Sequence, residues 1–279
     1  MAWTKPVLAE FEIQEAGIEK SEVELEYRGA YHWGIPKTAK GNEAEVEEED
    51  NALGEVNDTV QSNELELQMG ITNWWLISAT AGFDKAQGDN LRGTAVEVET
   101  QFGLVRREGN GIGLAFQMGY EAAVNNHKHL DDAEANEFAF GPIVEWARGS
   151  FLLTLNPLFT RQLGTYADQE GLGFEYGWRG EYDFAKHWGV GVEMFGEIED
   201  LANAGSFNDQ VHSIGPTLFW KPGGDDDDEE VGDVGEDDDG KGNAPEPAKT
   251  EFSMNVGYQF GLTDLTSDGA LKFQAELAF

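Results

Sequence analysis

Apolar and polar side chains alternate with a period of two in run after run of this sequence, about twelve times in all. In "SEVELEYRGAYHW", Val23, Leu25, Tyr27, Tyr31 and Trp33 share one face, and Glu22, Glu24, Glu26 and Arg28 share the other. "NELELQMGI" repeats the design, with Leu65, Leu67, Met69 and Ile71 set against Glu64, Glu66 and Gln68. Successive residues of a strand point to opposite faces, so each run predicts a strand with two unlike surfaces. Further strands are expected in "WWLISATAGF", "TAVEVETQFGL", "GIGLAFQMGYEA", "EFAFGPIVEWA", "FLLTLNPLFTRQ", "FEYGWRGEYDF", "WGVGVEMFGEI", "QVHSIGPTLFW", "EFSMNVGYQFG" and the terminal "LKFQAELAF". The fold class is all-β: an antiparallel up-and-down barrel of about 12 strands.

The spacers alternate in length. Short turns such as "TN", "REGNG", "RGS" and "AKHW" should share one rim, and longer connections such as "NNHKHLDDAEAN" and "EDLANAGSFND" the other. That asymmetry matches the outer-membrane plan. The expected organisation is an N-terminal segment, 1–20, followed by a single barrel domain, 21–279. A disordered acidic insertion at about 223–248 interrupts it on the short-turn rim.

A soluble barrel turns its apolar face inward and a membrane barrel turns it outward. Three features favour the membrane. Many runs reach about 11–13 residues, suited to crossing a bilayer with tilt. The apolar face is rich in aromatics near strand ends, and Trp33, Tyr120, Trp146, Trp178 and Phe279 are expected at the membrane interfaces. The opposite face mixes Glu with Gly, Ala, Ser, Thr and Gln, as a hydrated lumen would. Gly141-Pro142, Pro157 and Gly215-Pro216 fall in mid-strand and should mark bulges or kinks.

Charge sharpens the reading. Lys plus Arg total 18 against 54 Asp plus Glu, a net charge of −36, which argues against nucleic acid and for cations. Eleven acids lie between Asp225 and Asp239, so most of the excess belongs to the barrel and its loops. On the polar face the lumen would hold Glu22, Glu24, Glu26, Glu64, Glu66, Glu97, Glu99, Glu121, Glu137, Glu145, Glu175, Glu181, Asp183, Glu193, Glu197 and Glu276. Opposing them are chiefly Arg28, Arg179 and Lys272. Such a wall lowers the energy of cations, although the same carboxylates could serve only to hydrate the lumen. Long side chains, or the 34–62 loop folding inward, could partly block a barrel of this size.

The segments "FGPIVEW", "LTLNPLF" and "IGPTLFW", with the terminal "GLTDLTSDGALKFQAELAF", resemble the transporter-like family associated with the meta pathway of phenol degradation. The chain as a whole resembles a Gram-negative outer-membrane β-barrel. The resemblance implies a barrel of roughly twelve strands, a passive transport role, and a C-terminal aromatic that barrel-assembly machinery recognises. The acidic insertion departs from that family's short turn.

Other chemistry finds little support. The chain has no cysteine. The acidic tract fails the EF-hand spacing, since the sixth residue from Asp225 is Glu230 and from Asp233 is Asp238, so only weak divalent-cation binding is expected there. His212 and Ser213 are adjacent in a strand and point apart. His127 and His129 lack a third ligand. No enzyme activity, metal site or cofactor is expected. "MAWTKPVLAEFEIQEAG" lacks the pattern of a signal peptide, so an exported chain is expected in an already trimmed form.

The leading expectation is therefore a passive, cation-preferring channel or small-solute transporter of the bacterial outer membrane. Its partners would be lipid, lipopolysaccharide and the assembly machinery. A non-conducting structural or cation- or partner-binding barrel stays open, as does a soluble acidic β protein.

Overall fold

The computed structural model describes residues 11–35, 59–124, 135–167, 171–221 and 250–279. Twelve antiparallel strands follow one another in chain order: β1 (Val23–Trp33), β2 (Val60–Thr72), β3 (Trp75–Ala86), β4 (Arg92–Val105), β5 (Gly111–Ala123), β6 (Asn136–Arg148), β7 (Phe151–Leu163), β8 (Gly173–Ala185), β9 (Trp188–Ile198), β10 (Val211–Trp220), β11 (Glu251–Gly261) and β12 (Gly269–Ala278). Each pairs with its neighbours in sequence, and β1 pairs with β12 to close the barrel. Closure leaves no free strand edge. The seam holds the last residue as well: Phe279 N–H donates to the Val23 carbonyl at 2.9 Å, and Val23 N–H returns a bond to Phe279 at 3.0 Å.

The burial pattern is inverted relative to a soluble protein. Glu66, Glu181 and Glu193 are 1 % exposed, whereas Val98 and Ile112 are 59 % exposed. Leu67, Leu65, Tyr120 and Val190 also face outward. Only hydrocarbon is a suitable solvent for such a belt over a charged interior, and a closed barrel pairs its backbone groups strand to strand around the whole ring. The barrel therefore spans a membrane.

The proline sites behave differently from bulges. The β6–β7 ladder pairs Phe140 with Phe159 and resumes at Val144 with Leu155 in the same register. The β10–β11 ladder likewise skips from Ile214–Phe260 to Thr217–Gly257 without inserting a residue. At both gaps a glycine precedes the proline, and a Cβ on Gly141 or Gly215 would collide with a carbonyl of the facing strand, that of Pro157 or Tyr258. Each proline thus opens the ladder locally while the glycine lets the two backbones close in.

The lumen is occupied by the chain's own N-terminal segment. Residues 11–22 run inside the barrel from the rim of short turns, where Ser21 N–H donates to the Gly70 carbonyl at 2.7 Å. At the other end Phe11 stacks on His32 with ring centres 5.5 Å apart. The segment lies in neither helix nor strand, so its backbone groups need other partners. Wall side chains supply them. Glu145 Oε1 accepts from Ala16 N–H at 2.9 Å, Gln101 Nε2 donates to the Glu15 carbonyl at 2.9 Å, and Asn156 Nδ2 donates to the Gln14 carbonyl at 3.0 Å. Ile13, Ala16 and Ile18 are buried, Ala16 against Ala115 and Ile143. The expectation that the 34–62 loop fills the lumen falls almost wholly outside the described residues, as do the acidic insertion and His127 and His129.

Candidate functional site: the lumen

Strand register, more than strand identity, organises the charged groups. Residues directly opposite on paired strands share a face. Glu276 of β12 lies opposite Glu26 of β1, Glu26 opposite Glu66 of β2, and Glu66 opposite Thr80 of β3. Thr80 lies opposite Glu97 of β4, Glu97 opposite Glu121 of β5, and Glu121 opposite Glu137 of β6. This row crosses half the barrel with one interruption. Because barrel strands are staggered, it also climbs. It runs from Glu276, near the end of β12 at the short-turn rim, to Glu137, near the start of β6 at the other rim.

Arg28 is the counter-charge of this wall. Its Nη1 lies 2.6 Å from Glu12, 2.8 Å from Glu26 and 2.7 Å from Glu66, and its Nε lies 2.8 Å from Glu64. Glu97 and Glu99 crowd together beside Gly119, where an added Cβ would touch both carboxylates. Glu24 belongs to a neighbouring row, which continues through Gln68 and Ser78 to Glu99.

Elsewhere in the lumen the buried carboxylates Glu145, Glu181 and Glu193 have bases beside them. Lys272 Nζ lies 2.5 Å from Glu193, whose Oε2 also accepts from Thr217 Oγ1 at 2.6 Å. Lys221 pairs with Glu181 and lies 3.7 Å from Asp183, and Arg179 Nε lies 3.5 Å from Glu181. Arg179 also pairs with Glu15 of the N-terminal segment. Arg107 Nε lies 2.8 Å from Glu145. Arg179 and Lys272 each sit 5.3 Å from an aromatic ring centre, Phe219 and Phe195 respectively.

The segment's two inner carboxylates feel these walls oppositely. Burial pushes Glu12 well above the usual carboxylate range; Arg28 opposes the shift, and Glu66, Glu99 and Glu26 reinforce it. Enclosure by the barrel also raises Glu15, but Arg179, with Lys221 and Arg107, more than reverses this and holds it below that range.

The remaining predicted residues are placed as follows. Glu175 of β8 lies opposite Glu197 of β9. Glu22 precedes β1 and its carbonyl accepts from Gly70 N–H at 3.0 Å. Tyr120 and Trp146 are exposed on the outer face, Trp146 edge-on to Phe151. Trp33 ends β1 beside Tyr258, and Phe279 closes the seam. Trp178 lies near the middle of β8 rather than at an end. Sequence reasoning missed Phe11, Glu12 and Glu15, because a segment in neither helix nor strand carries no periodicity of its own. It also missed Arg107 and Lys221, which lie just outside strands where a two-residue period assigns no face.

Nearly the whole chain matches an outer-membrane channel from Pseudomonas putida F1, with a TM-score of 0.56 at 9 % identity over 97 % of this chain and 98 % of that one. The fold is that of an outer-membrane β-barrel. The KdgM porin, solved in complex with disordered oligogalacturonate, is more distant, with a TM-score of 0.46 at 9 % identity over 92 % of this chain and 98 % of that one. No family model and no curated protein matches the chain.

Proposed function

We propose that this barrel is a passive channel or small-solute transporter of the bacterial outer membrane, that it prefers cations, and that residues 11–22 narrow its path. The observation that carries this reading is the carboxylate row rising from one rim to the other with Arg28 as its counter-charge. Fixed carboxylates along a path lower the energy of a cation at each step and raise that of an anion. The field is local, because screening at physiological salt acts within about 8 Å. The segment is held largely by ion pairs and side-chain hydrogen bonds to its backbone, contacts that can exchange for water one at a time.

The occupied lumen also favours a second reading, a closed barrel that conducts nothing. Planar-bilayer recordings of the full chain and of a variant lacking residues 1–20 separate the two. Under a KCl gradient the channel reading expects a cation-selective reversal potential and a larger conductance in the truncated variant. Anion selectivity, or silence in both proteins, overturns it.

A further inference from the structure

We propose that Glu12 of the N-terminal segment, Glu66 of β2 and Glu99 of β4 form a site for a hard divalent cation, fitted to Ca²⁺, which ties the segment to the acidic wall. Carboxylate oxygens of these three residues all lie within 4.8 Å of one another. Ca²⁺ binds oxygens at about 2.3–2.6 Å, so two of its ligands stand about 3.3 Å apart at right angles and about 5 Å apart across the ion. Three oxygens this close can share one Ca²⁺, which accepts irregular oxygen cages, whereas Mg²⁺ demands near-ideal octahedral geometry and keeps most of its waters, so it is less suited to a site of three protein carboxylates. An all-carboxylate donor set with no thiolate or imidazole selects a hard ion over zinc or copper.

Acidic clusters are common on protein surfaces, but this one is inside. Glu66 is 1 % exposed; its Oε2 accepts from Arg28 Nη1 at 2.7 Å, and its buried Oε1 has no hydrogen-bond partner. A buried acceptor left in that state costs free energy that a bound cation recovers. Arg28 divides its charge among several carboxylates: its Nη1 faces Glu12, Glu26 and Glu66, and its Nε faces Glu64. Four carboxylates thus share one guanidinium, and Glu99 of the site crowds against a further one, Glu97. The ligands come from three separate parts of the chain, and one of them is the segment that fills the lumen. Binding is therefore coupled to docking of that segment: an ion that binds only the docked arrangement stabilises it by mass action.

The test is direct binding, so it fails or succeeds independently of conduction. Full-length protein, refolded in detergent and stripped with a chelator, is titrated with Ca²⁺ by calorimetry and equilibrium dialysis, in parallel with Glu12→Gln and Glu99→Gln. Glu12 lies outside the barrel wall, so its substitution leaves strand pairing intact, and heat-modifiable migration checks the fold of both variants. The acidic tract between Asp225 and Asp239 is the same in every version, so its contribution cancels in the comparison. The expected result is one saturable Ca²⁺ equivalent in the wild type that is lost, or weakened about tenfold or more, in both variants. In the wild type alone, Ca²⁺ should also slow the motion of a spin label attached at Phe11→Cys. A titration unchanged in either variant overturns the site. Equal response to Mg²⁺ and Ca²⁺ overturns the fit to Ca²⁺.

Discussion

The two walls of the lumen use the same residue types to different ends. On one, Glu181, Glu193 and Glu145 each face Lys221, Lys272 or Arg107, and Arg179 reaches across to the segment. On the other, Glu26, Glu64 and Glu66 share Arg28 while Glu97 and Glu99 crowd one another. A matched ion pair lowers the energy of the fold it sits in and leaves little net field. An unmatched row does the reverse, since it leaves the path charged at the expense of local repulsion. Under the proposed function the paired wall holds the fold and the acidic wall sets the field along the path, with the segment lying between them.

The largest expected effect tests that division through stability. Glu193→Gln leaves Lys272, 3 % exposed, without its carboxylate. Breaking a buried pair by removing one partner typically costs about 3–5 kcal/mol. Glu97→Gln removes one member of a repelling group and should leave stability unchanged or raise it. Urea unfolding of the refolded barrels in detergent, followed by tryptophan fluorescence, compares them. Equal losses in the two variants would erase the distinction between the walls.

Selectivity should show the opposite ranking. Reversing Glu97 and Glu121 to Lys puts two positive charges into the acidic row. At about 8 Å and an effective dielectric of about 20, each unit charge changes the energy of a passing ion by about 2 kcal/mol. The reversal potential under a KCl gradient should therefore move strongly toward anions. Glu181→Gln, on the paired wall, should move it less, because the carboxylate field there is already offset by Lys221 and Arg179.

Proton linkage gives a third contrast, within the segment itself. The raised pKa of Glu12 means that docking of its end is strongest below the usual carboxylate range and weakens as pH rises from that range through the raised value. The lowered pKa of Glu15 means that its contribution is present above the usual range and is lost as pH falls through the lowered value. Raising pH should thus free the Phe11 end while the Glu15 end stays held. The chain has no cysteine, so spin labels at Phe11→Cys and Gln14→Cys report each region without background. Greater mobility at Phe11 with rising pH, abolished by Glu12→Gln, is expected in Ca²⁺-free buffer.

The barrel was legible in the sequence because its solvent is two-sided. Leu25 against Glu26 and Val98 against Glu97 announce strands whose faces meet different media, and a run such as "VELEY" can be read without its neighbours. Which carboxylates stand together was not legible. Glu26, Glu66 and Glu97 are distant in sequence and meet only through register, and a slip of one residue would turn each to the lipid. The segment from Phe11 to Glu22 was harder still. Its backbone bonds go to Glu145, Gln101 and Asn156, partners that no local pattern could reveal.

The smallest effect concerns the room in which that segment lies. A Cβ on Gly177 of β8 would stand 3.1 Å from the Glu12 carbonyl oxygen, 3.3 Å from Ile13 Cγ1 and 3.4 Å from Phe195 Cδ1. Gly177 is opposite Phe195 in the β8–β9 ladder, so the wall there is fixed and the segment is the part able to yield. Gly177→Ala should cost about 1 kcal/mol, the low end for overpacking, and the cost should fall on docking rather than on the barrel. The expected signature is a modest rise in conductance and in Phe11 label mobility, with the urea midpoint unchanged. A lowered midpoint with an unmoved label would show that the wall yields first, and that the segment is gripped more firmly than the strand ladder beside it.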